Sequence, residues 1–275
     1  MPFSSKSRML RVSVGRRGIA IVATGTLATL SSAGLGAQEF PPGYIDPWPV
    51  LNAAADAIGT DRLRCVSVSG NGYSGKVGQQ DLNDKNVDWP RGVLENYTRT
   101  MDWEEGTMVE TFERPPGENP ASWKYGQGWL GGTPTQQNRR QHFYVNNDYA
   151  WHRDGDEGEP VAAPPRDAAL WQLDLWLNPH GFLKAARIPG AYPRATWRWE
   201  LGEMGRDGPT TQPQKMTVVS IMIAGKYRVD ATINPQNMLQ RIHTWVPDPV
   251  LGDFNIEHEF TNDSYIDIGD GIRFP

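Results

Sequence analysis

The run Met216-Thr-Val-Val-Ser-Ile-Met-Ile223, Ala224-Gly225, Lys226-Tyr-Arg-Val-Asp-Ala-Thr-Ile233, Asn234-Pro235 and then Leu239-Gln-Arg-Ile-His-Thr-Trp245 sets the fold class. Three stretches rich in β-branched and aromatic residues are parted by short turn signals, which reads as strand, turn, strand, turn, strand. Connections this short require antiparallel pairing, because a parallel neighbour needs a crossover of a dozen residues or more. Strand character continues on both sides, at Thr196–Glu200, Ile256–Phe260 and Tyr265–Ile268, with Gly269-Asp270-Gly271 as hairpin chemistry.

Further upstream, Asp46-Pro47-Trp48-Pro49 has the order of an N-cap followed by proline at the first helical position. Trp48, Leu51, Ala55 and Ile58 then recur at helical spacing, and Gly59 is a natural stop. The period changes to two from Arg62, giving a strand through Leu63, Cys65 and Val68. A hairpin follows, Asn96–Trp103 and Met108–Phe112 around Glu104-Glu105-Gly106. Pro115–Arg140 reads as an exposed Gly/Pro/Gln excursion, His142–Trp151 as strand, and 152–160 as a solvated acidic loop. A helical insert is expected from Asp167, with Leu170, Leu173, Trp176 and Leu177 on one face. Asn178-Pro179 breaks it, and a second short helix follows over Gly181–Ala186. The resulting expectation is a mainly β (α+β) chain. It has a single curved antiparallel sheet or incomplete β-barrel, a short N-terminal helix and a helical insert over the concave face. That architecture resembles the periplasmic lipoprotein-carrier folds.

Composition narrows the function. Against 32 acidic residues there are 27 Lys+Arg, a net charge of −5, which argues against a nucleic-acid partner. One cysteine excludes a disulfide framework or thiolate cluster. Residues 1–37 carry Lys6, Arg8, Arg11, Arg16 and Arg17 and no acid, then a 13-residue apolar run, Gly18–Leu30, and small residues up to Ala37. This is the layout of a signal peptide, and the run is shorter than the ~20 residues of a membrane-spanning helix. The expected product is one β-rich domain, 38–275, periplasmic or secreted and without a transmembrane anchor after cleavage. Its charge is 22 − 32 = −10. Arg16-Arg17 leaves Sec and twin-arginine export both open.

Tests for chemistry return little. Gly70-Asn-Gly72-Tyr-Ser-Gly75 matches a dinucleotide fingerprint in letters, but no helix pattern follows to receive a pyrophosphate, so a glycine-rich turn is expected. His142, His152, His180, His243 and His258 show no metal-ligand spacing. Asp154, Asp156, Glu157 and Glu159 lack the order of a calcium loop. Cys65 reads as a buried, inert thiol. No catalytic residue, metal ligand or cofactor is assigned. The aromatics Trp171, Trp176, Phe182, Trp197 and Trp199, with His180, are the candidate lining for an apolar ligand; filling of the core is the competing role.

Several stretches resemble the N-terminal region of exported bacterial proteins of the metallo-β-lactamase-fold hydrolase type. They are 96–102, 147–151, 177–186, 225–234, 244–253 and 271–275, the longest run being Gly225-Lys-Tyr-Arg-Val-Asp-Ala-Thr-Ile-Asn234 continued through 244–253 to 271–275. In that family a zinc domain with a HxHxDH motif follows this region, and no stretch here matches the motif. The resemblance implies a non-catalytic accessory domain that binds a substrate, a hydrophobic small molecule or a separate hydrolase domain. A carrier of a lipid or other hydrophobic ligand is the alternative, and an enzyme with a spatially assembled site the third reading.

Overall fold

The computed structural model describes residues 44–75, 91–115, 139–201, 204–205, 208–209, 212–248 and 252–275. The expected signal segment and most of the 115–140 excursion lie outside them. Helix α1 (Pro47–Ile58) forms as the sequence dictates. The Asp46 carboxylate accepts from the Trp48 amide, and Gly59 closes the helix at φ +72°. A β-carbon on Gly59 would lie 2.7 Å from the Gly271 carbonyl oxygen, so glycine is required there twice over.

The strands form two antiparallel ladders. The first runs in chain order through β1 (Cys65–Gly75), β2 (Arg91–Asp102), β3 (Thr107–Arg114), β4 (Arg139–Asn146), β5 (Tyr149–Asp154) and β6 (Val161–Ala162). The helical insert follows, as α2 (Pro165–Asp174) and α3 (Pro179–Ala185). The second ladder contains β7 (Arg194–Glu200), β10 (Gln214–Ile223), β11 (Tyr227–Ile233), β12 (Leu239–Asp248) and β13 (Gly252–Glu259). Its spatial order is β13-β12-β11-β10-β7. Two small ladders complete the described strands, β8 (Met204–Gly205) with β9 (Gly208–Pro209), and β14 (Ile266–Asp267) with β15 (Arg273–Phe274).

The mainly β antiparallel class therefore holds, with no closed barrel among the described residues. The one continuous sheet offered as the first form is divided into two ladders where the helical insert enters. Pro164, Pro165 and Pro179 each lack the amide a strand would donate, so the chain between β6 and β7 cannot extend either ladder. The helices cover the inner faces. Leu51 and Ile58 of α1, Leu173 of α2 and Phe182 of α3 share one core with Val219, Val229 and Ile242 of the five-stranded ladder. Met101, Met108 and Val145 of the six-stranded ladder form a second core with Trp103, Leu175 and Phe274. Trp176 packs against both.

Three local expectations are corrected. The expected strand His142–Trp151 is two strands, because Asn147 turns the chain at φ +50°, a left-handed conformation that asparagine tolerates. Gly70-Asn-Gly72 lies inside β1 as a register shift rather than in a turn, with Asn71 Oδ1 accepting the Asn96 amide at 3.0 Å. Cys65 is exposed, because it pairs with Asp102 on the outer face of the ladder.

Replacing fully buried Phe182 by alanine is expected to cost about 3–5 kcal/mol. Replacing Trp199, 62% exposed on β7, should change stability by less than about 0.5 kcal/mol. Urea unfolding of both variants, followed by far-ultraviolet circular dichroism, checks the assignment of core and surface.

Candidate functional site

Strand alternation places charge where apolar residues belong. In β2 the inward positions are Tyr97, Arg99 and Met101, and in β3 they are Met108, Glu110 and Phe112, with Arg99 directly opposite Glu110 and Met101 opposite Met108. In β13 the partly buried Phe254 and Ile256 lead to His258 on the same face, two residues on. Asp174, the last residue of α2, projects into the same space.

These side chains meet. Arg99 Nη2 donates to Glu110 Oε1 at 3.0 Å and to Asp174 Oδ2 at 2.6 Å, with Arg99 and Glu110 about four-fifths and Asp174 about three-quarters buried. The Tyr97 hydroxyl bonds to Glu110, and His258 Nε2 lies 4.0 Å from Asp174 Oδ1. Burial opposes the charge on Arg99, but Asp174 and Glu110 outweigh it and hold the guanidinium firmly cationic. Burial, helped by Glu110, raises the Tyr97 phenol. His258 is held below the usual imidazole range chiefly by burial and also by Arg99, with Asp174 pulling the other way. The cluster ties β2 and β3 of one ladder to the helical insert, with His258 of β13 from the other ladder packed beside Asp174.

Tyr97 also lines an adjoining recess of about 370 Å³, shared with Val68, Gly70, Gly72, Tyr73 and Leu94. The recess is mainly apolar. Gly70 and Gly72 leave it open, since a β-carbon at either would meet nothing within 4 Å.

The six residues proposed from sequence do not line this recess. His180 and Phe182 are sealed in the core at 0% exposure, and Trp176 packs between the two cores. Trp171 sets its ring edge-on to Phe143 at 4.9 Å and to His152 at 6.2 Å. Trp197 and Trp199 stand 41% and 62% exposed on β7, with Lys215 Nζ 4.4 Å above the Trp197 ring. His180 donates from Nε2 to the Arg273 carbonyl at 2.9 Å and stacks on Phe274 at 5.6 Å. Burial, with Lys184 nearby, lowers its pKa to about 4.

The other histidines have structural partners. His142 bonds Thr111 and Asp156. His152 lies within β5 rather than in the acidic loop, because its ring packs inward on Phe143 and Trp171. His243 is buried beside Asp230. Among the described residues no group of three or more His, Cys, Asp or Glu is arranged to hold a metal, and no helix is long and apolar enough to cross a membrane.

No protein-family model and no curated protein matches the sequence. Among solved structures, the crystal structure of LprF from Mycobacterium bovis is similar over 80% of this chain and 94% of that one. The identity is 12% and the TM-score 0.26. A likeness that loose carries no argument, so the fold assignment rests on the strand pairing itself.

Arg99→Met leaves Glu110 and Asp174 buried together without their shared cation, with an expected loss of about 3–5 kcal/mol. The same change removes a charge that opposes protonation of His258, whose pKa should rise in an NMR titration. His180 supplies a pH dependence of known sign. Its folded pKa of about 4 lies below the 6.5 of a free imidazole, so below pH 6.5 the unfolded chain binds more protons and stability falls with pH. At pH 5 the loss is about 2 kcal/mol relative to neutral pH. Urea midpoints at pH 7 and pH 5 should show it, and His180→Gln should flatten it.

Proposed function

We propose that this protein binds, and carries in the exported compartment, a small amphipathic molecule. Its apolar part sits in the recess at Val68, Tyr73 and Leu94, and its polar end faces the Tyr97–Glu110 pair. The supporting observation is the continuity of the two environments at one residue. Tyr97 lines the recess and its hydroxyl bonds Glu110, the combination of apolar walls and few polar anchors that small-molecule sites use. A catalytic reading draws less support, because both carboxylates of the cluster are engaged by Arg99 at 3.0 and 2.6 Å.

The test is binding of the fluorescent apolar probe N-phenyl-1-naphthylamine to the chain from residue 38 onward, with native mass spectrometry of gently purified protein. Saturable binding is expected. Gly70→Phe, which fills open space, should weaken it at least tenfold at unchanged melting temperature. Equal binding by Gly70→Phe would sink the proposal.

A second reading draws on the resemblance to the N-terminal regions of metallo-β-lactamase-fold hydrolases and on the exposed Trp197 and Trp199. In it the domain passes its ligand to a separate hydrolase domain docked on β7. Protection of those indoles from acrylamide when a zinc hydrolase domain is added would support it, and unchanged quenching would end it.

A further inference from the structure

We propose a second binding site, independent of the recess at Tyr97, for a small organic cation with an apolar stem. It is a cleft of about 480 Å³ at one end of the five-stranded ladder. Met216 and Phe260 supply apolar lining, Gln214 and Gln240 supply amides, and Glu259 and Asp263 supply acids.

The charge balance selects the ligand. Four carboxylates stand at or beside the cleft, Glu200, Glu257, Glu259 and Asp263, against the two guanidinium groups of Arg198 and Arg241. Both cations are already engaged. Arg198 Nη2 lies 2.6 Å from Glu200 Oε1. Arg241 reaches Glu200 at 3.4 Å, Glu257 at 3.2 Å and Glu259 at 3.7 Å. Asp263 has no salt-bridge partner among the described residues. The balance is 2 − 4 = −2. An ammonium or guanidinium group entering the cleft relieves that repulsion, whereas a carboxylate or phosphate adds to it.

The wall that carries Asp263 is built in advance. Residues Asn262–Ser264 form a single 3₁₀ turn. Asn234 Nδ2 donates to Asn262 Oδ1 at 2.9 Å, while Asn234 Oδ1 accepts the Gln236 and Met238 amides, both at 2.9 Å. The Tyr265 hydroxyl donates to the Leu239 carbonyl at 2.7 Å, and the Phe260 amide to Gln240 at 2.8 Å. A ligand therefore meets a wall already fixed to β11 and β12, and ordering it costs little.

The experiment is an NMR titration of the chain from residue 38 onward with hexylamine, 1-hexanol and hexanoate. Saturable shifts at Phe260–Ser264 with hexylamine, at least tenfold weaker with hexanol and absent with hexanoate, are expected. Asp263→Asn, an exposed position outside the core, should weaken hexylamine at least threefold. Asp263→Asn with Glu259→Gln should weaken it at least tenfold, and Gly70→Phe should leave it unchanged. Hexanol binding as tightly as hexylamine, or hexylamine binding unchanged in the double variant, overturns the proposal. The Gly70→Phe arm separates this outcome from any failure of the recess at Tyr97.

Discussion

A guanidinium removed from water must be matched, and the placement of Arg99 is the constraint around which the two ladders are arranged. Its two carboxylate partners come from different elements, Glu110 on β3 and Asp174 at the end of α2. Matching therefore requires the β2–β3 register and the docking of the insert to be correct together. A slip of one residue between β2 and β3 would carry Glu110 to the outer face and strand the cation. Pairing of this kind contributes specificity more than net stability, since desolvating the three charges offsets much of their attraction.

The insert that brings Asp174 to Arg99 is joined to the six-stranded ladder at the Leu175 carbonyl as well as through its packing. Leu175 O accepts from Trp103 Nε1 at 3.0 Å and from Asn178 Nδ2 at 2.9 Å. Asn178 also caps α3 by accepting the Gly181 amide at 2.8 Å. Chain and carbonyl come so close here that a β-carbon on Gly181 would lie 2.9 Å from Leu175 O. One short segment thus links the six-stranded ladder, both helices of the insert and, through Trp176, the two cores. The cap, the break and the glycine each serve that junction.

The regular elements were readable because each carries a local signal. Asp46 and Pro47 start α1, Asn178 and Pro179 end the first helix of the insert, and the strand-turn-strand pattern of β10–β12 needs no tertiary information. That Asn178 also caps α3, which begins at Pro179 rather than Gly181, shows only in the fold. The division into two ladders was not readable, because hydrogen bonding between distant strands leaves no mark on local periodicity. The interior cluster was partly readable. Arg99 stands between Tyr97 and Met101, and Glu110 between Met108 and Phe112, so each charge occupies a slot that alternation assigns to the core. A charge at such a slot is a stronger pointer than a tryptophan, whose bulk suits a core as well as a pocket. Tryptophan clustering points instead to His180, Phe182 and Trp176, which lie in or between the two cores. Asp174 gave no comparable signal, since a helix end is an ordinary place for an acid.

The indoles on β7 have an optical consequence. Trp197 and Trp199 face solvent, while Trp103 is buried and donates its ring N–H inside the core. Emission from these three indoles is therefore of two kinds, one at the long wavelengths of a hydrated indole and one at shorter wavelengths. A dissolved quencher removes the first without entering the interior. The Trp103 contribution that remains reports on the junction at Leu175, where that ring is anchored, so loosening between the insert and the six-stranded ladder would shift the Trp103 emission to the red.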